Sequence, residues 1–107
     1  MKPKHSDDAH HEESQTALYE AILALKNVEE AKQFFEDLCT PSERQALADR
    51  WLVVEPIKQG IPYRTIYEET GVSVTTVGRV ARCLSFGTGG YQLIFERLKR
   101  KNQTTKR

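Results

Sequence analysis

The sequence predicts an all-α fold, and three observations lead there. Apolar residues recur at helical spacing, Thr40-Pro41-Ser42-Glu43 spells a helix start, and no strand-like alternation runs beyond a few residues. With 107 residues, 38% hydrophobic and 29% charged, the chain has the size of one domain whose core is possible but not generous.

Residues 1–13, MKPKHSDDAHHEE, have no apolar period and read as a disordered arm. His5, His10 and His11 lie in it without ordered ligands, so no metal site is expected. From Ser14 the pattern changes. Leu18, Ala21, Ile22, Leu25 and Val28 fall on one face of a helix, and Asn27 offers a break. A second helix follows over 29–38, with Ala31, Phe34, Phe35 and Leu38 apolar.

Thr40 is placed to cap the third helix, Pro41 suits its first position, and Glu43 stands three residues after the cap. Ala46, Leu47, Arg50, Trp51, Val53 and Val54 extend it. Pro56 has no amide to donate and crowds the carbonyl of Leu52, which predicts a kink or an early end. Gln59-Gly60-Ile61-Pro62 stops the helix. A short helix over 63–70, a tight turn at Gly71-Val72-Ser73 and a further helix over 74–84, capped by Ser73, come next. Residues 86–90 form a flexible link, and 91–100 the last helix, with Leu93, Ile94 and Leu98 apolar. Residues 101–107 read as a frayed basic tail. This makes six helices within residues 14–100.

Several classes fall away. No run of 18 apolar residues could span a membrane, and residues 1–13 lack the apolar stretch of a secretory signal. Cys39 and Cys83 are 44 positions apart with no CxxC pattern, as expected of reduced thiols in the cytoplasm. An enzyme is not expected, and neither is a cofactor. No phosphate loop or metal cluster is visible, and no histidine beyond His11 could activate a cysteine.

The net charge of +1 hides an asymmetry. Residues 1–39 carry four Lys/Arg against nine Asp/Glu, a net of −5; residues 40–107 carry twelve against six, a net of +6. Six of the last eleven residues, Arg97 to Arg107, are basic and none is acidic.

Residues 63–84 carry the functional signal. Two short helices joined by a glycine-led turn, with Ile66, Val72, Val77 and Val80 apolar, have helix-turn-helix spacing. Gly71 accepts positive φ at the reversal, and Val72 and Val77 fill the angle between the helices. Tyr67 is bulky for the helix crossing, where a small residue is usual, so the first helix is expected to sit further out. The second helix then turns Ser73, Val74, Thr75, Thr76, Gly78, Arg79 and Arg82 outward. Hydroxyls, methyls and guanidiniums in that order suit base edges and phosphates in a major groove. The competing reading is a protein-interaction module that keeps this scaffold without binding DNA. Overall near-neutrality, Glu68 and the acidic N-terminal third favour it, and salt dependence separates the two.

Residues 39–50, CTPSERQALADR, followed by Val53, Val54, Glu55 and Gly60, resemble the Trp repressor superfamily. Residues 71–84, GVSVTTVGRVARCL, resemble its reading helix. Leu84-Ser85-Phe86-Gly87 and Tyr91 point to the YerC/YecD branch of Trp-repressor-related proteins. The resemblance implies a six-helix protomer in an intertwined homodimer, whose first helices and last helix interlock across a two-fold axis. It also implies a pocket between the long helix and the reading helix. There Arg50 and Arg79 match the two arginines that sandwich an indole, and Thr40 matches a rim threonine. Cys83 replaces a serine and Val80 a glycine. A valine in a slot shaped for a flat ring overpacks it by ~1–3 kcal/mol. Tryptophan binding is therefore not expected, whereas a small anionic or amino-acid-like effector between the two guanidiniums remains open. For DNA the resemblance implies contacts from Arg64, Val74, Thr75, Thr76 and Gly78. Glu68 stands where a phosphate-contacting lysine is found, and Arg82 has no basic counterpart.

Overall fold

The computed structural model describes residues 5–105, and side chains over residues 8–102. Among them are seven helices and no strand: α1 (His5–Leu23), α2 (Val28–Leu38), α3 (Pro41–Leu52), α4 (Val54–Lys58), α5 (Tyr63–Thr70), α6 (Val74–Phe86) and α7 (Gly90–Thr105). The six expected helices are all present, the long one divided in two.

The division has a local cause. Pro56 cannot donate to the Leu52 carbonyl, so α3 ends at Leu52 and Val53 turns at φ −87°, ψ −2°. Helical bonding resumes with the Ile57 amide donating to the Val53 carbonyl at 3.1 Å. The turn directs two consecutive valines, Val53 and Val54, into the core, which an unbroken helix would set about 100° apart.

Both ends differ from the sequence reading. The first helix begins at His5, not near Ser14, so residues 5–13, read as a disordered arm, are helical. No Pro or Gly follows Pro3 in that stretch to stop a helix, and the described side chains there, residues 8–13, are all exposed. Periodicity cannot reveal a helix that has no apolar face. The last helix likewise runs five residues beyond Arg100, through the segment read as a frayed tail. Residues 1–4 and 106–107 lie outside the described range.

The chain divides into two compact units, the first ending at Pro41 and the second starting at Ser42. In the first, Asn27 caps α2: its side-chain oxygen accepts from the Glu30 amide at 2.8 Å, while Glu30 accepts from the Lys26 amide at 3.0 Å. Phe34 and Phe35 meet edge to face at 5.7 Å, yet no residue of α2 is fully buried. The second unit holds the core: Val53, Val54, Ile66, Val72, Val77 and Val80, with Ile57, Ile61, Leu84, Tyr91 and Phe95 packed around it. Helix α6 runs through its centre, against α5, α4 and α7. No helix among the described residues is long and apolar enough to cross a membrane.

Candidate nucleic-acid interface

The helix-turn-helix is assembled by a small set of local bonds. Gly71 ends α5 in the left-handed region at φ 80°, its amide donating to the Tyr67 carbonyl at 2.8 Å. The Thr70 hydroxyl donates to the Ile66 carbonyl at 2.6 Å and accepts from the Val72 amide at 3.1 Å. One side chain thus ties the last turn of α5 to the turn residue that enters the core. Ser73 opens α6: its Oγ accepts from the Thr76 amide at 3.2 Å and donates to Thr76 Oγ1 at 3.1 Å.

Packing then decides which face of α6 is outward. Val77 and Val80 are buried at 0% and 1% exposure, Ile66 meets them from α5 and Val72 from the turn. Val74, Thr75, Arg79, Arg82 and Cys83 are consequently exposed. Among the described residues, Arg79 and Arg82 make no ion pair or hydrogen bond, so two cations stand on the outer face without an internal partner.

Two expected contact residues are half-buried. Thr76 is half-buried, and its Oγ1 accepts from the Ser73 hydroxyl while its own proton remains available to donate. Gly78 is half-buried too, with the Tyr63 ring beside it; a Cβ there would meet Tyr63 Cε2 at 3.8 Å, ordinary contact. Tyr67 is half exposed, while Ile66 and Val77 are both fully buried in the same core cluster. Arg64 is exposed on α5 and lies 3.8 Å from Glu68 one turn on. Glu68 therefore competes for the cation that would meet a phosphate.

Sequence reasoning missed Thr70 and Tyr63. A threonine before glycine is a detectable signal, since a short hydroxyl bonds its own backbone at helix ends. Tyr63 offered none, because nothing in its spacing marked Gly78 as its neighbour.

The residues expected to line an effector pocket come from several elements. Arg79, Val80 and Cys83 share α6, half-buried Arg50 lies on α3, and exposed Thr40 belongs to the first unit. Val80 is sealed in the core. Two hollows lie in the second unit. One, of about 620 Å³, runs between Trp51, Glu55 and Lys58 on one side and Phe95, Leu98 and Lys99 on the other. Its neighbourhood is stiffened by Trp51 stacked with Tyr91 at 6.4 Å and by Lys58, bonded to Gln92, over the Phe95 ring at 5.1 Å. The other, of about 420 Å³, lies along the α6–α7 link and includes Cys83 and Tyr91. Cys83 lines the hollow along the link, and Arg50, Arg79 and Val80 are not among the lining residues of these two hollows.

Comparison with known proteins matches this arrangement. Residues 13–99 fit the family model described as Trp repressor protein. The uncharacterised YerC protein of Bacillus subtilis strain 168 is 44% identical over 82 residues, covering 77% of this chain and 79% of YerC. A Staphylococcus aureus crystal structure described as a candidate Trp repressor superposes with a TM-score of 0.77 at 45% identity, over 80% of this chain and 86% of that one. A TrpR-like protein from Eubacterium eligens gives 0.77 at 41%, over 81% and 90%.

Proposed function

The chain belongs to the Trp repressor family, a family of helix-turn-helix regulators, and on that premise we propose that it is a homodimeric, sequence-specific DNA-binding regulator of transcription. It acts in the cytoplasm without catalysis or a cofactor, and it does not respond to tryptophan. The observation that carries the reading is the sorting of α6: Val77 and Val80 inward, Val74, Thr75, Arg79 and Arg82 outward. An outward row of methyl, hydroxyl and two guanidiniums without an internal partner suits a groove flanked by phosphates.

The absence of a tryptophan response rests on Val80. Making room for an indole where Val80 now sits would open the centre of a six-residue core. Dimerisation rests on the apolar side chains left outside that core, including Leu23, Val28, Leu38, Leu52 and Leu93.

The test is selection from sheared genomic DNA, followed by titration of the recovered duplex at 50 and 200 mM salt. A site with two-fold symmetry is expected, with binding that falls steeply as salt rises. Arg79→Ala should weaken it by ~1–3 kcal/mol. No selected sequence, together with capture of a protein partner at salt-independent affinity, replaces this reading with the interaction module. In parallel, millimolar tryptophan should leave the melting curve unmoved. Saturation to 100 times a dissociation constant would add ~2.7 kcal/mol of stability, and such a rise overturns the assignment of Val80. Val80→Gly should gain tryptophan affinity if volume is the barrier.

A further inference from the structure

We propose that Tyr63 is a DNA-contacting residue: its hydroxyl, carried from α5 to the outward face of α6, donates to a phosphate oxygen at the place where Gly78 presents no side chain. The inference rests on the DNA-binding reading above and adds a contact that the reading helix does not itself supply.

Gly78 stands among the outward residues of α6. Thr75 comes three positions before it and Arg82 four after, so both are its neighbours on the helix surface, and both are exposed. Gly78 is nevertheless half-buried. Its cover comes from α5. Among the described residues, and apart from the helix's own backbone and the two chain neighbours, the one atom within 4 Å of a Cβ built at 78 is Tyr63 Cε2, at 3.8 Å. Cε2 is bonded to Cζ, the carbon that carries the hydroxyl. The tip of the ring, and not its root, therefore lies against the reading helix, and the hydroxyl reaches the rim of the face that Thr75 and Arg82 share.

Other roles for such a ring are not filled. A tyrosine that seals a core is buried. Tyr63 is 45% exposed and belongs neither to the six buried residues nor to the half-buried ones packed around them. A tyrosine that ties two helices together spends its hydroxyl on the tie, whereas that of Tyr63 makes no hydrogen bond within the described residues. A glycine can also leave backbone bare for a ligand to approach. With the Tyr63 ring against that backbone, the phenol is what a duplex meets there.

The acceptor follows from the helix that carries the ring. In a helix-turn-helix the second helix enters the groove and the first crosses the backbone. Tyr63 is the first residue of α5, so it belongs to the helix that passes over phosphates, and tyrosine hydroxyls are among the groups that bond phosphate oxygens. A hydroxyl donating to an anionic oxygen makes a charge-assisted bond. Being neutral, it displaces no counterion, so it adds affinity and leaves the salt dependence unchanged.

The experiment compares full-length Tyr63→Phe with the wild type on a genomically selected duplex, first unmodified and then with single phosphates replaced in turn by uncharged methylphosphonates. Phenylalanine keeps the ring against Gly78, so the melting temperature should not move. Affinity should fall about tenfold for each protomer that makes the contact, the size of a hydrogen bond to a charged acceptor, with the slope of log affinity against log salt unchanged. At one phosphate in each half-site, the methylphosphonate should cost Tyr63→Phe about tenfold less than it costs the wild type, the coupling of a direct pair. Wild-type affinity in Tyr63→Phe overturns this proposal alone. So does a loss that every methylphosphonate duplex shows equally, which places the hydroxyl on a base or within the protein. A melting temperature that falls together with affinity makes the hydroxyl structural and overturns it as well. A wild type that binds no duplex overturns the DNA reading with it.

Discussion

The two units of the chain have similar apolar patterning and opposite burial. From Ser42 onward, six residues from α4, α5, the turn and α6, with the Val53 junction, close a core without any partner. Before Pro41, α2 carries Ala31, Phe34, Phe35 and Leu38 along one face and buries none of them fully. Two helices with no fully buried residue do not hold themselves together, since short helices owe most of their stability to tertiary packing. A helical pattern therefore states that a face will be covered, and is silent on which molecule covers it. In the second unit the cover is within the chain. In the first, the cover is the second copy of the homodimer proposed above.

The strongest way to break this contrast is to charge the apolar face of α2. Phe34→Asp with Phe35→Asp should abolish assembly: the wild type is expected at twice 12.3 kDa by light scattering, the variant as a monomer or unfolded. A variant that stays dimeric and equally stable would show that the face has no partner.

The second unit should respond differently. Ile66→Ala removes the largest fully buried side chain and should cost ~2–5 kcal/mol, the range for such truncations. Its denaturation midpoint should fall wherever the protein sits on its dimerisation curve. If the loss disappears on raising the protein concentration, the core is shared between copies and the contrast between units fails. Gly71→Ala comes next. At φ 80° an L-residue is strained by ~1–2 kcal/mol, although a Cβ there meets no atom within 4 Å. The melting temperature should fall by several degrees; an unchanged value would mean that the turn relaxes into an ordinary conformation.

The same contrast explains what could be read in advance. The helix-turn-helix was legible because its signals are local and agree: glycine at the reversal, serine at the cap, Val72, Val77 and Val80 in register. The break at Val53 was legible only as a kink near Pro56. Proline names the missing donor but not the residue that turns. The helix over 5–13 and the extension to Thr105 were invisible because the sequence there has no apolar period, and the described side chains, 8–13 and 101–102, are exposed. Thr76 shows the limit at finer grain. It stands one position before buried Val77 and is half-buried, with its hydroxyl oxygen accepting from the Ser73 cap.

The smallest expected effect is the most informative about how far α5 takes part. Arg64 and Glu68 are 3.8 Å apart and their side chains are 87% and 63% exposed, so the pair itself is worth at most ~1 kcal/mol. Glu68→Gln should leave the melting temperature almost unmoved. Its effect on DNA should be larger than its effect on stability, for two additive reasons. The guanidinium of Arg64 no longer has to leave a carboxylate to meet a phosphate, and one negative charge is withdrawn from the face that approaches the backbone. Together these should raise affinity about two- to fivefold at low salt, the size of a surface pair. The gain should shrink as salt rises, because the Debye length falls from ~30 Å at 0.01 M to ~10 Å at 0.1 M and exposed charges separated by more are screened. Glu68→Lys should exceed Glu68→Gln and also steepen the salt slope by ~0.9, one added phosphate contact. Equal affinities for all three proteins at every salt would place α5 away from the duplex. Arg64 would then be a partner of Glu68 and nothing more, and the outward face of α6 would have to account for binding without help from the helix before it.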